Sequence, residues 1–75
     1  MLKSKFLEDL QELLQRDDPI TPDMMLGDMG EWDSLAQMSC MAYFSKHFNL
    51  KTKISQYEAL RTVDDLIALS GGAIT

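Results

Sequence analysis

EWDSLAQMSCMAYFSKHF, residues 31–48, is the stretch in which an acidic irregular segment gives way to the longest helical pattern of the chain. Apolar residues recur from Ser34 onward at the spacing of one helix face, which predicts a helix over residues 34–48. Asn49 tolerates the left-handed conformation, so we expect the helix to end there. The side that we expect to be apolar comprises Leu35, Met38, Met41, Ala42, Phe44 and Phe48.

Upstream of this stretch lies a second helical pattern. Apolar residues recur every four positions from Leu2 to Leu14, which predicts an amphipathic helix over residues 3–15. Pro19 ends the pattern, because the residue before a proline is pushed out of the helical region. The chain then stays irregular up to Asp33.

Downstream, the sequence predicts one short helix and one longer helix. Residues 55–60 allow about two helical turns, and the hydroxyl of Thr62 precedes two acidic residues as at a helix start. The expected fold class is therefore all-α, a four-helix bundle with three longer helices, one short helix and a long loop between the first and second. Residues 1–70 form the predicted domain, and residues 71–75 are expected to be a flexible tail.

Composition restricts the possible functions of the chain. A chain of 75 residues forms one domain with a modest core, and a net charge of −5 argues against nucleic acid as a partner. No apolar run approaches the roughly 20 residues that cross a bilayer, and Glu8 and Asp9 interrupt any signal-peptide pattern. Cys40 is the single cysteine, so no intramolecular disulfide can form. We expect a cytoplasmic monomer that does not bind membranes.

The segment of residues 16–33 is long for a connection between helices, which usually takes about two to eight residues. Apolar side chains are spaced through it, so it is not a polar tether, and packing against the bundle explains most of them. Trp32 is interpreted as a packing residue or as part of a recognition surface. The apolar residues of the segment are Ile20, Met24, Met25, Leu26, Met29 and Trp32.

Ser34 stands where this segment meets the predicted helix, and two interpretations of it remain open. Ser34 and Gln37 fit a capping box, in which the serine hydroxyl is used as a helix cap. In the rival interpretation Asp33 is the cap, and the hydroxyl of Ser34 is free at the positive end of the helix dipole. The only histidine, His47, lies about 20 Å along the same helix, too far to act as a general base. We expect no catalytic residue and no metal site, so another protein must perform any covalent chemistry at Ser34.

Residues 26–35, LGDMGEWDSL, resemble the attachment segment of the acyl carrier proteins and the related peptidyl carrier domains. The tripeptide Asp33-Ser34-Leu35 is similar to the D-S-L motif of that family, whose serine accepts 4′-phosphopantetheine from coenzyme A. The resemblance implies a carrier protein domain over residues 1–70 with this group covalently attached to Ser34. It also implies that Asp33 helps to engage a magnesium-dependent phosphopantetheinyl transferase and that Leu35 contacts partner enzymes. Trp32 and Met38 are further candidates for partner recognition.

The resemblance implies a phosphoprotein that catalyses nothing itself. Such a carrier holds an acyl group as a thioester on a flexible arm and presents it to acyl-loading and acyl-transfer enzymes. Fatty-acid carriers typically have acidic residues along the second helix, and none occurs here between Ser34 and Phe48. This favours a dedicated pathway, of fatty-acid or polyketide type, over bulk fatty-acid synthesis.

Two alternatives to an acyl carrier stay open. One is a peptidyl or aminoacyl carrier, and the other is a non-enzymatic helical adaptor in which Ser34 is only a cap. The methionines also allow two interpretations, because methionine packs irregular gaps and can either fill a core or line an adaptable pocket for an acyl chain. The methionines concerned are Met24, Met25, Met29, Met38 and Met41.

Overall fold

The computed structural model describes all 75 residues, which form four α-helices and no β-strand. Helix α1 spans Lys3–Leu13, α2 spans Ser34–Phe48, α3 spans Ile54–Glu58 and α4 spans Val63–Leu69. One 3-10 turn, Leu26–Asp28, interrupts the connection between α1 and α2. The predicted all-α fold with a short third helix is confirmed. None of the helices is long and apolar enough to span a bilayer.

Local signals set both ends of α2. The Ala36 amide donates a hydrogen bond of 2.9 Å to Oδ1 of Asp33, which satisfies one of the free amides of the first turn. At the other end Asn49 has a φ of 54°, and the Leu50 amide donates to the Phe44 carbonyl at 3.4 Å. The predicted left-handed stop at Asn49 is confirmed.

The buried face of α2 differs from the predicted apolar side. Leu35 and Met38 are 69% and 53% exposed, and Ala42 is exposed as well. Apolar residues occur on almost every side of this helix, so their spacing alone does not identify the side that packs. The residues of α2 that are buried are Ala36, Cys40 and Phe44.

Phe44 shows why this side of α2 is the one that packs. Its ring meets those of Phe6 in α1 and Tyr57 in α3 edge to face, each with a centroid distance of 6.0 Å. Phe6, Phe44 and Tyr57 are at most 1% exposed, so three helices share one aromatic centre. The complete set of buried apolar residues is Phe6, Leu10, Leu14, Ile20, Leu26, Met29, Ala36, Cys40, Phe44, Tyr57, Val63, Leu66, Ile67 and Ile74.

The crossover loop between α1 and α2 is fastened to the start of α4. The amides of Val63 and Asp64, which have no acceptor within their own helix, donate to the carbonyls of Met24 at 3.0 Å and Pro22 at 2.8 Å. The Leu26 amide donates to the Arg61 carbonyl at 2.8 Å, and the Leu26 side chain is fully buried. The loop therefore satisfies the end of a helix that is distant in sequence.

Local geometry at α4 follows the sequence prediction. The Asp65 amide donates to Oγ1 of Thr62 at 3.1 Å, and the Thr62 amide donates back to Oδ2 of Asp65 at 3.2 Å. This reciprocal pair confirms Thr62 as the cap.

Helix α1, in contrast, ends two residues before the predicted residue 15, because Gln15 adopts a φ of 56° and turns the chain into the loop.

The last five residues require a correction, because they pack onto the bundle and do not extend from it as a free tail. Gly71 and Gly72 have φ values of 66° and 97°, which turn the chain back after α4. Ile74 is 5% exposed, and its amide donates to Oγ of Ser70 at 3.2 Å. The Thr75 amide donates to the Met1 carbonyl at 2.8 Å. The sequence interpretation overlooked Ile74 as a core residue.

Candidate functional site

Ser34 is the first residue of α2, and its side chain is exposed. The cap of the helix is the Asp33 carboxylate, so the hydroxyl of Ser34 is not used for capping. Of the two interpretations of this junction, the structure shows the one in which Asp33 caps and Ser34 keeps a free hydroxyl. An exposed alcohol with no partner in the protein fits a group attached through an ester.

The neighbours of Ser34 have different environments. Trp32 is half-buried and packs against the core, as the packing interpretation expects. Asp33 is exposed, and one of its carboxylate oxygens is engaged in the cap. Leu35 and Met38 are the exposed apolar residues of α2 closest to Ser34 in sequence.

The solvent-facing side of α2 has an unusual composition for an exposed helix face. It contains no acidic residue, and its one formal charge is the ammonium of Lys46. Large apolar side chains in water generally mark contact surfaces when they cluster. We call this surface the outer face of α2, and it consists of Ser34, Leu35, Met38, Ala42, Ser45 and Lys46.

An ion pair closes the crossover loop next to the site. Nη1 of Arg16, three residues after α1, lies 3.0 Å from Oε1 of Glu31. The Arg16 side chain is 15% exposed and that of Glu31 is 39% exposed. The sequence interpretation did not identify this pair, because its members are fifteen positions apart and no local pattern connects them.

The five candidate methionines do not line a common cavity. Met29 is buried, Met24 and Met41 are half-buried, and Met25 and Met38 are exposed. A shallow depression of about 350 Å³ does lie near the site, between the end of α1 and the first turns of α2. None of the methionines lines it. Its walls are formed by Leu13, Leu14, Gln15, Glu31, Asp33, Leu35, Ala36 and Ser39.

The remaining chemically active side chains serve the packing of the bundle. Cys40 is buried, and its burial raises the pKa of the thiol to about 12. His47 is exposed and stacks on the ring of Tyr43 at a centroid distance of 4.2 Å. The hydroxyl of Tyr43 donates a 2.7 Å hydrogen bond to Oδ2 of Asp9 in α1. No three side chains among the His, Cys, Asp and Glu residues are grouped so as to hold a metal ion.

Comparison with known proteins connects this geometry to a family. A family model described as phosphopantetheine attachment site matches residues 4–70, which is most of the chain. No match was found to a curated protein or to a solved structure. Members of the family carry covalently attached 4′-phosphopantetheine, are not themselves enzymes, and interact with transferases and biosynthetic enzymes. The chain therefore belongs to the phosphopantetheine attachment site family and is a non-catalytic carrier protein.

Proposed function

We propose that the protein is an acyl carrier whose Ser34 bears 4′-phosphopantetheine and which serves a dedicated biosynthetic pathway. The observation that carries this proposal is the division of roles at the start of α2. Asp33 supplies the cap through its 2.9 Å bond from the Ala36 amide, and Ser34 keeps an exposed hydroxyl. When bound, the group supplies a thiol on a flexible arm, to which an acyl cargo is joined as a thioester.

The attachment chemistry requires a nucleophilic oxygen and an external catalyst. The Ser34 hydroxyl oxygen forms a bond to the phosphorus of coenzyme A that bears the pantetheine, the bond from that phosphorus to the adenosine bisphosphate breaks, and the hydroxyl proton is released. The only histidine of the chain lies near the other end of α2, so it does not serve as the base for Ser34. We assign the base that takes the hydroxyl proton to the transferase.

The first turn of α2 favours a phosphate at Ser34. The first intrahelical hydrogen bond of α2 is donated by the Gln37 amide to the Asp33 carbonyl, so the amides of Ser34 and Leu35 precede the hydrogen-bonded ladder. They lie at the positive end of the helix dipole, which stabilises an anion there. The second carboxylate oxygen of Asp33 has no partner in the protein and supports a role in engaging the magnesium-dependent transferase.

The outer face of α2 supports both the recognition role and the dedicated pathway. Leu35 and Met38 expose apolar surface beside Ser34, and we assign them to contacts with the partner enzymes. The absence of acidic residues from Ser34 to Phe48 makes this face unsuited to an enzyme that docks carriers through a basic patch. Trp32 contributes to recognition through the position of the loop, since it is half-buried and packs against the core.

The proposal places the carrier in the cytoplasm as a monomer that works with acyl-loading and acyl-transfer enzymes. The single cysteine is buried and needs no oxidising compartment, which supports this location. Sedimentation equilibrium tests the monomeric state directly. A peptidyl or aminoacyl cargo is the alternative, and the mass of the cargo on protein isolated from its host distinguishes the two.

Intact mass spectrometry tests the attachment site. Incubation of the apo protein with coenzyme A, Mg²⁺ and a broad-specificity transferase should add about 340 Da to the protein. Ser34→Ala should gain nothing. Ser4→Ala is a matched control, because Ser4 is also exposed in the first turn of a helix, and this variant should gain the full mass. A mass gain in Ser34→Ala would overturn the assignment.

A further inference from the structure

The Arg16–Glu31 ion pair joins the end of α1 to the residue that directly supports the attachment turn. Nη1 of Arg16 donates to Oε1 of Glu31 at 3.0 Å. The backbone around Arg16 is itself fixed, because Nε2 of Gln11 in α1 donates to the carbonyls of Arg16 at 3.3 Å and Asp17 at 3.2 Å. The Arg16 guanidinium therefore reaches the last part of the crossover loop from a backbone that is hydrogen-bonded to α1.

Glu31 connects the ion pair to the cap of α2. Its backbone carbonyl accepts a 3.0 Å hydrogen bond from the Asp33 amide, and the Asp33 carboxylate accepts from the Ala36 amide. Ser34 lies between these two bonds. Three consecutive contacts thus run from Arg16 through Glu31 and Asp33 to the first turn of α2.

Burial of the cation distinguishes this pair from the other ion pair of the chain. Arg16 is 15% exposed, and its Nε is buried with no hydrogen-bond partner, so the guanidinium gives up part of its solvation to reach Glu31. Lys5 and Asp9 form the other pair at 2.9 Å, one turn apart along α1, with Lys5 61% and Asp9 19% exposed. The ammonium of that pair stays in water, so the pair contributes little, and its two members lie within α1.

We propose that Arg16 is a positioning residue for the modification of Ser34, acting through Glu31 to hold the Asp33–Ser34 turn in the geometry that the transferase requires. This inference rests on the proposed function, because it takes Ser34 as the attachment site. The crossover loop has eighteen residues and is otherwise fastened to α4 through residues 22–26, well before the turn. Met29 and Trp32 pack its later part against the core, and the ion pair joins that part to the end of α1 by a side-chain hydrogen bond.

Transferase kinetics on apo variants test the proposal. Arg16→Met removes the charge and keeps the aliphatic stem, and it should lower kcat for loading about tenfold, because the hydroxyl is held less well in the reactive geometry. KM for the carrier should change less than about twofold, because the outer face of α2 is untouched. Arg16→Lys retains the charge and should recover part of the loss. Lys5→Met removes the exposed pair and should load at the rate of the unaltered protein.

A double variant shows whether the two residues act as one unit. If Arg16 acts through Glu31, then Arg16→Met/Glu31→Gln should load no more slowly than Arg16→Met alone. Multiplied losses in the double variant would overturn the proposal, and so would an unchanged kcat in folded Arg16→Met. If circular dichroism shows that Arg16→Met is unfolded, Glu31→Gln takes its place. This variant should show the same loss of kcat, and an unchanged kcat in it would overturn the proposal.

The experiments distinguish a failure of the proposed attachment site from a failure of the proposed positioning role. Loading of Ser34→Ala would overturn the proposed function itself. No loading of Ser34→Ala together with unaltered loading of Arg16→Met would overturn only the positioning role. Amide hydrogen exchange gives a readout without the transferase, since the Asp33 and Ala36 amides should exchange faster in Arg16→Met than in Lys5→Met. Equal exchange in the two variants would contradict the contact path.

Discussion

The Asp33 carboxylate and the Ala36 amide are joined by a 2.9 Å hydrogen bond that spans Ser34 without using its hydroxyl. The cap of the helix and the proposed attachment oxygen therefore belong to adjacent residues. The two groups can be changed one at a time, because a variant of Ser34 leaves the Asp33 carboxylate in place and a variant of Asp33 leaves the Ser34 hydroxyl in place.

Substitutions at these two residues should differ in their effect on stability. Asp33→Ala removes the cap and should lower the free energy of unfolding by about 1 kcal/mol. Ser34→Ala should change it by less than about 0.5 kcal/mol while it abolishes loading. Urea unfolding and intact mass measure the two effects. A stability loss in Ser34→Ala as large as in Asp33→Ala would show that the serine hydroxyl is the cap in solution.

The outer face of α2 should be dispensable for folding. Leu35→Ala and Met38→Ala remove exposed side chains, so each should alter the free energy of unfolding by less than about 0.5 kcal/mol. Both variants should raise the KM of partner enzymes for the carrier, because the surface that contacts them is reduced. Phe44→Ala provides the contrast, with an expected loss of about 3–5 kcal/mol from the buried face of the same helix. A wild-type KM in both outer-face variants would contradict the assigned contact.

Leu26 should stabilise α4 as well as the loop. Its side chain is fully buried, so Leu26→Ala should cost about 2–5 kcal/mol, a large share of the stability of so small a domain. The amides of Val63 and Asp64 should exchange faster in this variant, because their acceptors lie in the same segment of the loop. Met25→Ala is the control, since Met25 is exposed beside it. Unchanged exchange at both amides would show that the loop does not stabilise the start of α4.

Cys40 should be unreactive as long as the protein is folded. Burial raises the pKa of its thiol to about 12, so almost no thiolate exists near pH 8. A disulfide reagent such as 5,5′-dithiobis(2-nitrobenzoic acid) should react only after denaturant is added. Reaction at full rate in the folded protein would show that the core around α2 opens readily.

Acid should destabilise the fold in part through Asp9. Hydrogen bonds from the Tyr43 hydroxyl and from Lys5 lower the pKa of this carboxyl below its ordinary value of 3.8. Because the folded pKa is the lower one, Asp9 stabilises the fold above the unfolded pKa. This contribution disappears as the pH falls through the folded pKa.

Asp9→Asn should therefore show a shallower loss of stability between about pH 5 and pH 2 than the unaltered protein. Tyr43→Phe removes the stronger of the two hydrogen bonds and should make the loss shallower to a smaller degree. Urea unfolding at a series of pH values measures both. Identical pH profiles for Asp9→Asn and the unaltered protein would contradict the role of this carboxyl.

Features that depend on neighbouring residues were predictable from the chain alone. Asn49 and Thr62 mark helix ends because their backbone and side-chain preferences act within one turn. The D-S-L tripeptide at the exit of a long acidic loop also indicates the carrier family from the sequence alone, because its three residues are adjacent. The sequence does not decide whether Asp33 or Ser34 is the cap, because serine and aspartate both serve well as caps.

Contacts between residues distant in sequence were settled only when the helices packed. The spacing of apolar residues in α2 did not distinguish Leu35 and Met38 from the buried side, because the aromatic centre of Phe6, Phe44 and Tyr57 selects the face that is dehydrated. The turn after α4 brings Ile74 back into the core, where its side chain is also removed from water. The Arg16–Glu31 pair exists because the loop folds back on α1, and no one-dimensional pattern encodes an attraction across fifteen residues.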